Sequence, residues 1–270
     1  MMSAFTTRDG GAEPAVLTER RGRVLLITLN RPNSLNAVDA SLSRGLGDAL
    51  DELARDASLY VGVITGAGRA FCAGADLKEL AAGRSVHDSE HPERGFGGIV
   101  RHFIDKPLIA AINGFALGGG TEILLACDLA VISAEASLGL PEVRRGLVAA
   151  AGGLLRLHRQ IPPKIAAEAI FTGQPISADA ALRWGIVNRV VPPEQVVSAA
   201  LELAETVAAN APLALRASKR IMIRGGGSSD WCPEAWELNG EEFAAVGGSM
   251  DAREGASAFA EKRTPVWSGK

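Results

Sequence analysis

Two carboxylates and a run of glycines make residues 108–142 the part of the chain best equipped for chemistry. Gly118-Gly119-Gly120 stands between an apolar run, 108–112, and a second one, 123–126, with Glu122 at its head. Glycines ahead of a helix let the backbone approach a ligand closely, and the first amides of that helix lack internal partners. Such amides, with the helix dipole behind them, favour negative charge, whether standing or developing in a reaction. Glu142 follows Leu140-Pro141 at the start of another segment. Two carboxylates near one donor loop can take up and deliver a proton. Each has an ordinary reading when taken alone. Acidic residues are common in a first helical turn, and turn glutamates are common at surfaces. Flanking the same glycine loop, they read as an active site.

The elements that must position these groups can be traced from hydrophobic pattern. Residues 23–29, 60–65 and 108–112 are short apolar runs, each stopped by turn residues: Asn30-Arg31-Pro32-Asn33, Gly66-Ala67-Gly68 and Asn113-Gly114. They read as strands buried on both faces. Between the first two, Leu42, Leu46, Ala49, Leu50, Leu53 and Ala57 recur at helical spacing over 39–57, with Asp39 as N-cap. The stretch 69–79, RAFCAGADLKE, follows the second strand and would leave backbone amides open to a ligand. Residues 83–98 are polar and glycine-rich, and read as a mobile loop leading into a short helix that ends before Lys106-Pro107. Beyond Glu142 the pattern predicts helices over 154–160 and 164–172, then one from Ser177 to about Trp184, and a strand over 186–191. Past Pro192-Pro193 it turns almost wholly helical, over 194–209, 213–224, 233–246 and 250–262. Strand–turn–helix–strand order alone suggests a doubly wound parallel sheet. The expected division is a flexible tail over 1–14, a sheet-bearing core over 15–192 and a helical region over 193–270.

Composition narrows the function classes. The 270 residues are 47% hydrophobic, ample for a packed core, and the net charge of −3 offers no basic face for nucleic acid. No apolar run approaches the ~18–20 residues that span a bilayer. The first fourteen residues lack the apolar segment of a secretory signal. Cys72, Cys127 and Cys232 are widely spaced and odd in number, the usage of reduced thiols in the cytoplasm. No His or Asn is placed by sequence to activate Cys72 as a nucleophile. Gly66-Ala67-Gly68 begins like a dinucleotide fingerprint but fails where Phe71 replaces the third glycine, so NAD binding is rejected. His87 to His91 matches H-x-x-E-H, a zinc-protease pattern, yet Pro92 biases His91 away from helix and no third ligand follows. No metal is expected.

The motifs themselves carry a resemblance. GFALGGGTE at 114–122 with LPEVRRG at 140–146, RAFCAGADLKE at 69–79 and AFAEKRTPVW at 258–267 resemble the enoyl-CoA hydratase/isomerase family, the crotonases. The likeness runs from about Arg23 to the C-terminus. It implies an α/β fold that is a spiral of repeated ββα units, with a C-terminal helical region that packs trimers or hexamers. By position in the matching motifs, the N–H groups of Ala75 and Gly119 would form an oxyanion hole for an acyl-CoA thioester. Glu122 and Glu142 would supply the acid and base of an enoyl-CoA hydratase. Arg31, Ala37, Ala73, Asp76 and Leu77 match positions near coenzyme A, and Phe259 and Lys262 match a C-terminal segment that often reaches it from a neighbouring subunit. No separate cofactor is implied, since coenzyme A arrives as part of the substrate. The resemblance leaves room for carnitinyl-CoA dehydration, enoyl isomerisation or non-catalytic acyl-CoA binding. Two departures bear on the substrate: Ala149-Ala150-Ala151 stands where many hydratases carry Pro-Gly-Ala, and Leu140 replaces a common glutamine. The Ala150 amide is expected to remain available as a donor. Burial and like-charge proximity are expected to raise one of the two carboxyls, while the helix start favours ionised Glu122, so acid and base are not assigned.

Overall fold

The computed structural model describes residues 13–225 and 231–270, so the tail expected over 1–14 lies almost wholly outside the described residues. Its organising motif is a strand pair followed by a helix, repeated three times. The first unit is β3 (Val61–Gly66), β4 (Ala70–Cys72) and α2 (Leu77–Ala81). The second is β5 (Leu108–Ile112), β6 (Phe115–Leu117) and α3 (Gly119–Ala126). In the third, β7 (Leu129–Ser133) and β8 (Ser137–Gly139) lead through a 3-10 turn, Pro141–Arg145, to α4 (Gly153–Gln160). The longer strand of each pair joins one sheet and the shorter strand joins another. Ahead of these units stand β1 (Val16–Arg21), β2 (Val24–Leu29) and α1 (Ala40–Arg55); α5 (Pro163–Thr172), β9 (Ile176–Ser177), α6 (Ala178–Trp184) and β10 (Arg189–Val191) follow. The larger sheet runs β1-β2-β3-β5-β7-β10 and the smaller β4-β6-β8-β9. The neighbours are parallel except β1 with β2 and β8 with β9.

This is the ββα spiral and not a doubly wound sheet, because every second strand leaves for the smaller sheet. The alternating side chains of the larger sheet explain its uninterrupted apolar runs. Leu25, Ile27, Leu29, Ile64, Ala110 and Ile132 face the core shared with α1 and the smaller sheet. Leu26, Val61, Val63, Ile109 and Val131 face outward, under α7 (Val196–Ala208). That helix seats on them through Val196, Ala200, Ala204 and Ala208, spaced four apart so that small side chains form one ridge. The first helix past residue 192 therefore packs on the sheet, and α8 (Pro212–Gly225), α9 (Pro233–Gly247) and α10 (Met250–Glu261) follow. No helix among the described residues is long and apolar enough to cross a membrane.

Helix α1 forms as its pattern predicts, with the Asp39 carboxylate accepting the Leu42 amide at 2.8 Å. The 83–98 segment is packed onto the rest of the fold. Arg94 is buried, donates to Asp48 and Asp51 at 3.0 Å each, and ties the segment to α1. Short 3-10 turns, Pro92–Arg94 and Phe96–Gly98, lie within it, and the helix expected before Lys106-Pro107 is absent, residues 99–106 being turn and irregular backbone. His87 packs edge-on against Phe96, and His91 pairs with Glu93 at 3.0 Å. Strand 186–191 shortens to three residues after a turn at Gly185.

Between the second unit and β4 there is no spare room. A Cβ on Gly120 would stand 2.2 Å from the Cys72 carbonyl oxygen, which is backbone and cannot swing away. Gly120→Ala is expected to lower stability by at least about 2 kcal/mol, read as a lower urea midpoint with an unchanged slope.

Candidate active site

Each ββα unit contributes one part of the site. In the first unit, Val38 pairs with Ala75 as an isolated parallel bridge. Val38 N–H donates to the Gly74 carbonyl at 2.8 Å and Asp76 N–H donates to the Val38 carbonyl at 2.9 Å. Alternation along an extended segment then turns the Ala75 N–H to the other side. In the second unit, Gly118 adopts φ +54°, ψ −123°, a conformation that L side chains rarely take, and α3 starts at once with Gly119. Among the described residues neither Ala75 N–H nor Gly119 N–H has an acceptor. The two segments touch: a Cβ on Gly74 would lie 3.2 Å from the Gly119 nitrogen. Two unpaired amides on abutting backbones can hold an oxygen that is gaining negative charge.

Glu122 is 3% exposed, on the first turn of α3. Its Oε1 accepts the Gly153 amide at 2.8 Å. Burial pushes its carboxyl up to about 7, reinforced by Glu142 and opposed by the Gly153 and Ala151 amides and by Arg156. Of the two opposing effects expected here, desolvation outweighs the helix start, and Glu122 is a carboxyl that burial and like charge raise. Glu142 sits in the third unit's 3-10 turn, and a Cβ on Gly118 would stand 2.9 Å from its Oε1. Its other oxygen, Oε2, is buried without a hydrogen-bond partner among the described residues. Burial also raises the Glu142 carboxyl, against Arg145 and a backbone amide. Leu140 and Ala149 are buried beside Gly153, giving the cleft an apolar wall. Ala150 does not serve as the free donor expected of it, since its N–H donates to the Val148 carbonyl at 2.8 Å. The Gly153 and Ala151 amides act on Glu122 instead.

The residues matched to coenzyme A fall into two groups. Arg31, Ala37, Ala73 and Asp76 come together beside the first amide. Arg31 donates to the Ala37 carbonyl and pairs with Asp39 and Asp76 at 3.1 Å each, while the Ala73 amide reaches the Leu35 carbonyl at 3.0 Å. Burial raises the Asp76 carboxyl, but Arg31 and the Lys78 amide outweigh it and hold it below the usual range. Leu77 opens α2, half exposed. Phe259 and Lys262, by contrast, lie at the end of α10, with Phe259 87% exposed, and make no hydrogen bond to the site in a single chain.

Several contributors carry no sequence signal of their own. Asn36, fully buried at φ +53°, bonds the Ala67 and Ala70 carbonyls and so fixes the turn before β4. The Thr121 hydroxyl lies 2.7 and 2.9 Å from the Ala116 and Gly139 carbonyls and accepts the Gly139 amide, stitching the second unit to the third. The Phe96 ring occupies the space that a Gly119 side chain would need. Cys72 is buried with its thiol pushed up to about 12, which keeps it neutral and poorly nucleophilic.

A carboxyl whose folded pKa lies above its unfolded one stabilises the fold below the unfolded value and loses that contribution as pH rises through the folded one. With Glu122 moved from 4.5 to about 7, Glu122→Gln should match wild type near pH 4. By pH 8 it should be more stable by up to about 3 kcal/mol. Paired thermal melts across that range measure the difference.

Comparison with known proteins agrees with the topology. The family model for enoyl-CoA hydratase/isomerase matches residues 19–270. A carnitinyl-CoA dehydratase of Proteus mirabilis is 45% identical over 256 residues, covering 93% of this chain and 97% of that protein. The crystal structure of an enoyl-CoA hydratase from Mycobacterium tuberculosis superposes with TM-score 0.89 at 46% identity, covering 96% of this chain and all of the other. That of a carnitinyl-CoA hydratase from Mycobacterium avium does so with TM-score 0.78 at 51% identity and the same coverage. With its ββα spiral and a motif order that runs through nearly its whole length, the chain belongs to the enoyl-CoA hydratase/isomerase family.

Proposed function

We propose that the protein is a hydro-lyase that reversibly adds water to a 2-enoyl-CoA thioester. The observation that carries this reading is the pairing of Glu122 with Glu142 across the Gly118 turn, both carboxyls raised by burial. Two carboxyls so placed can hold one proton between them, because a second ionisation works against the first in a dry site. That is the state hydration requires. The ionised carboxylate takes a proton from water as the water oxygen bonds to C3 of the enoyl group. The C2–C3 π electrons move towards the thioester, whose oxygen gains negative charge against the Ala75 and Gly119 amides. The protonated carboxyl then delivers its proton to C2 and the thioester carbonyl re-forms. Net, C3 gains hydroxyl, C2 gains hydrogen, and the pair again holds one proton. The unpartnered Glu142 Oε2 gives that water an acceptor.

A second reading has a specific observation behind it. Proteins named carnitinyl-CoA dehydratase are 43–45% identical to this chain over nearly their full length. On this reading the same steps run backwards on a 3-hydroxyacyl thioester bearing a quaternary ammonium. Arg31, Ala37, Ala73, Asp76 and Leu77 would lie along the coenzyme A, and Phe259 and Lys262 would reach it from a neighbouring copy. A homotrimer or homohexamer is part of the proposal, supported by Met222, Phe243 and Phe259, which are 72%, 76% and 87% exposed, and by α9, which buries no residue within the chain. A reducing, cytoplasmic setting fits three free thiols.

A panel of crotonyl-CoA, longer 2-enoyl-CoAs and carnitinyl-CoA, followed by chromatography and mass spectrometry, separates these substrates. Turnover of a simple enoyl thioester favours the first reading, turnover of carnitinyl-CoA alone the second, and tight binding without turnover removes both. Glu142→Gln and Glu122→Gln should each lower turnover by roughly a hundred- to ten-thousandfold. Phe243→Asp should shift sedimentation towards smaller species, since it places a charge on a face meant for another copy.

A further inference from the structure

Arg156 is assigned no part in the chemistry above, yet its surroundings are those of a functional group. It lies one turn into α4, half-buried, and among the described residues it has no ion-pair partner. A guanidinium so placed is uncommon, because a desolvated charge needs compensation. Its Nη2 donates to the Val100 carbonyl at 2.6 Å. Its Nη1 fills the space over Gly152, where an added Cβ would stand 2.1 Å away; at φ +105° that residue is also closed to ordinary L side chains. The next amide, from Gly153, is the one bonded to Glu122. The side chain thus braces the turn that holds the carboxyl, and anchors that turn to the segment carrying Phe96.

The charged neighbours are few. Glu122 feels Glu142 from the 3-10 turn and Arg156 from α4, besides the amides of Ala151 and Gly153. Arg156 feels Glu122 from α3, Cys127 at the end of that helix and Arg159 from its own. Burial works against the Arg156 charge, and Glu122 supports it.

We propose that Arg156 is a positioning residue that clamps the Gly152-Gly153 turn between Val100 and Glu122, keeping the Gly153 amide on the carboxyl. The inference rests on the hydration reading for its bearing on turnover, but not for its titration.

The test is a carboxyl 13C NMR titration of protein labelled in glutamate, with the Glu122 signal assigned by its loss in Glu122→Gln. Wild type should titrate near 7 at this position. In Arg156→Gln the midpoint should move upward by about one pH unit, since an opposing cation has gone. On whichever thioester the wild type turns over, kcat should fall by about ten- to a hundredfold, with KM changed by less than about threefold, because the carboxyl is misplaced and not the coenzyme. Arg156→Lys keeps the charge but not the two-pronged contact, so the midpoint should return while kcat recovers only in part. An unmoved Glu122 midpoint in Arg156→Gln overturns the proposal. So does an Arg156→Lys protein that titrates like Arg156→Gln. If Arg156→Gln does not fold, Arg156→Lys decides alone: wild-type kcat or a displaced midpoint overturns it. A wild-type protein inactive on every thioester removes the hydration reading and leaves the titration result standing.

Discussion

Putting two carboxyl groups into one cleft from which water is largely excluded sets the terms for the structure around them. Each would shed its charge if left alone, because burial disfavours the ionised form. Glu122 is supported by amides from the Gly152-Gly153 turn and by a cation behind it. Glu142 has fewer partners and keeps one oxygen unsatisfied. The asymmetry makes the two carboxyls unlike, so that one can hold a proton while the other carries charge. The fold therefore carries a standing penalty at its centre, of the kind that accompanies activity and is repaid by packing elsewhere.

Much of that repayment comes from the larger sheet. Its middle strands are apolar on both faces, one side meeting α1 and the other the alanine ridge of α7. The smaller sheet is made of strands of three residues or fewer and is correspondingly weak by itself. It is held where backbone groups meet directly, at Gly120 against Cys72 and through Thr121 to Gly139. Tolerance to substitution should therefore be lowest where no side chain stands at all.

What could be read from the chain follows the same division. Strands β2, β3 and β5 and helix α1 were legible because five or more residues of consistent pattern leave a period to detect. Strand β1 was not, since five of its six residues are exposed and its sequence, VLTERR, has no alternation. Strands β4, β6 and β8 are too short to show any period, so order alone suggested the wrong sheet arrangement, and only the motif resemblance pointed to a spiral. At the site, Ala75, Gly119, Glu122 and Glu142 could be named from motifs, but their electrostatics could not. The place of Glu122 at the start of α3 and the expected burial of the pair pulled in opposite directions, and only the depth of burial, a tertiary property, showed which prevails. Arg94, Asn36, Phe96 and Arg156 went unremarked because each works through partners distant in sequence.

The threefold repetition has a consequence for how the protein comes into being. One turn of the spiral brings Ala75, the next Gly119 and Glu122, and the last Glu142 with the amides behind Glu122. Parallel strands joined by long crossovers pair slowly, and here each pairing depends on the one before. A nascent chain that has emerged only as far as α3 already owns both unpaired amides and Glu122, but lacks Glu142 and the amides that support Glu122. Competence thus arrives in one step, when the last coil closes over the first two, and no shorter piece of the polypeptide inherits a fraction of it.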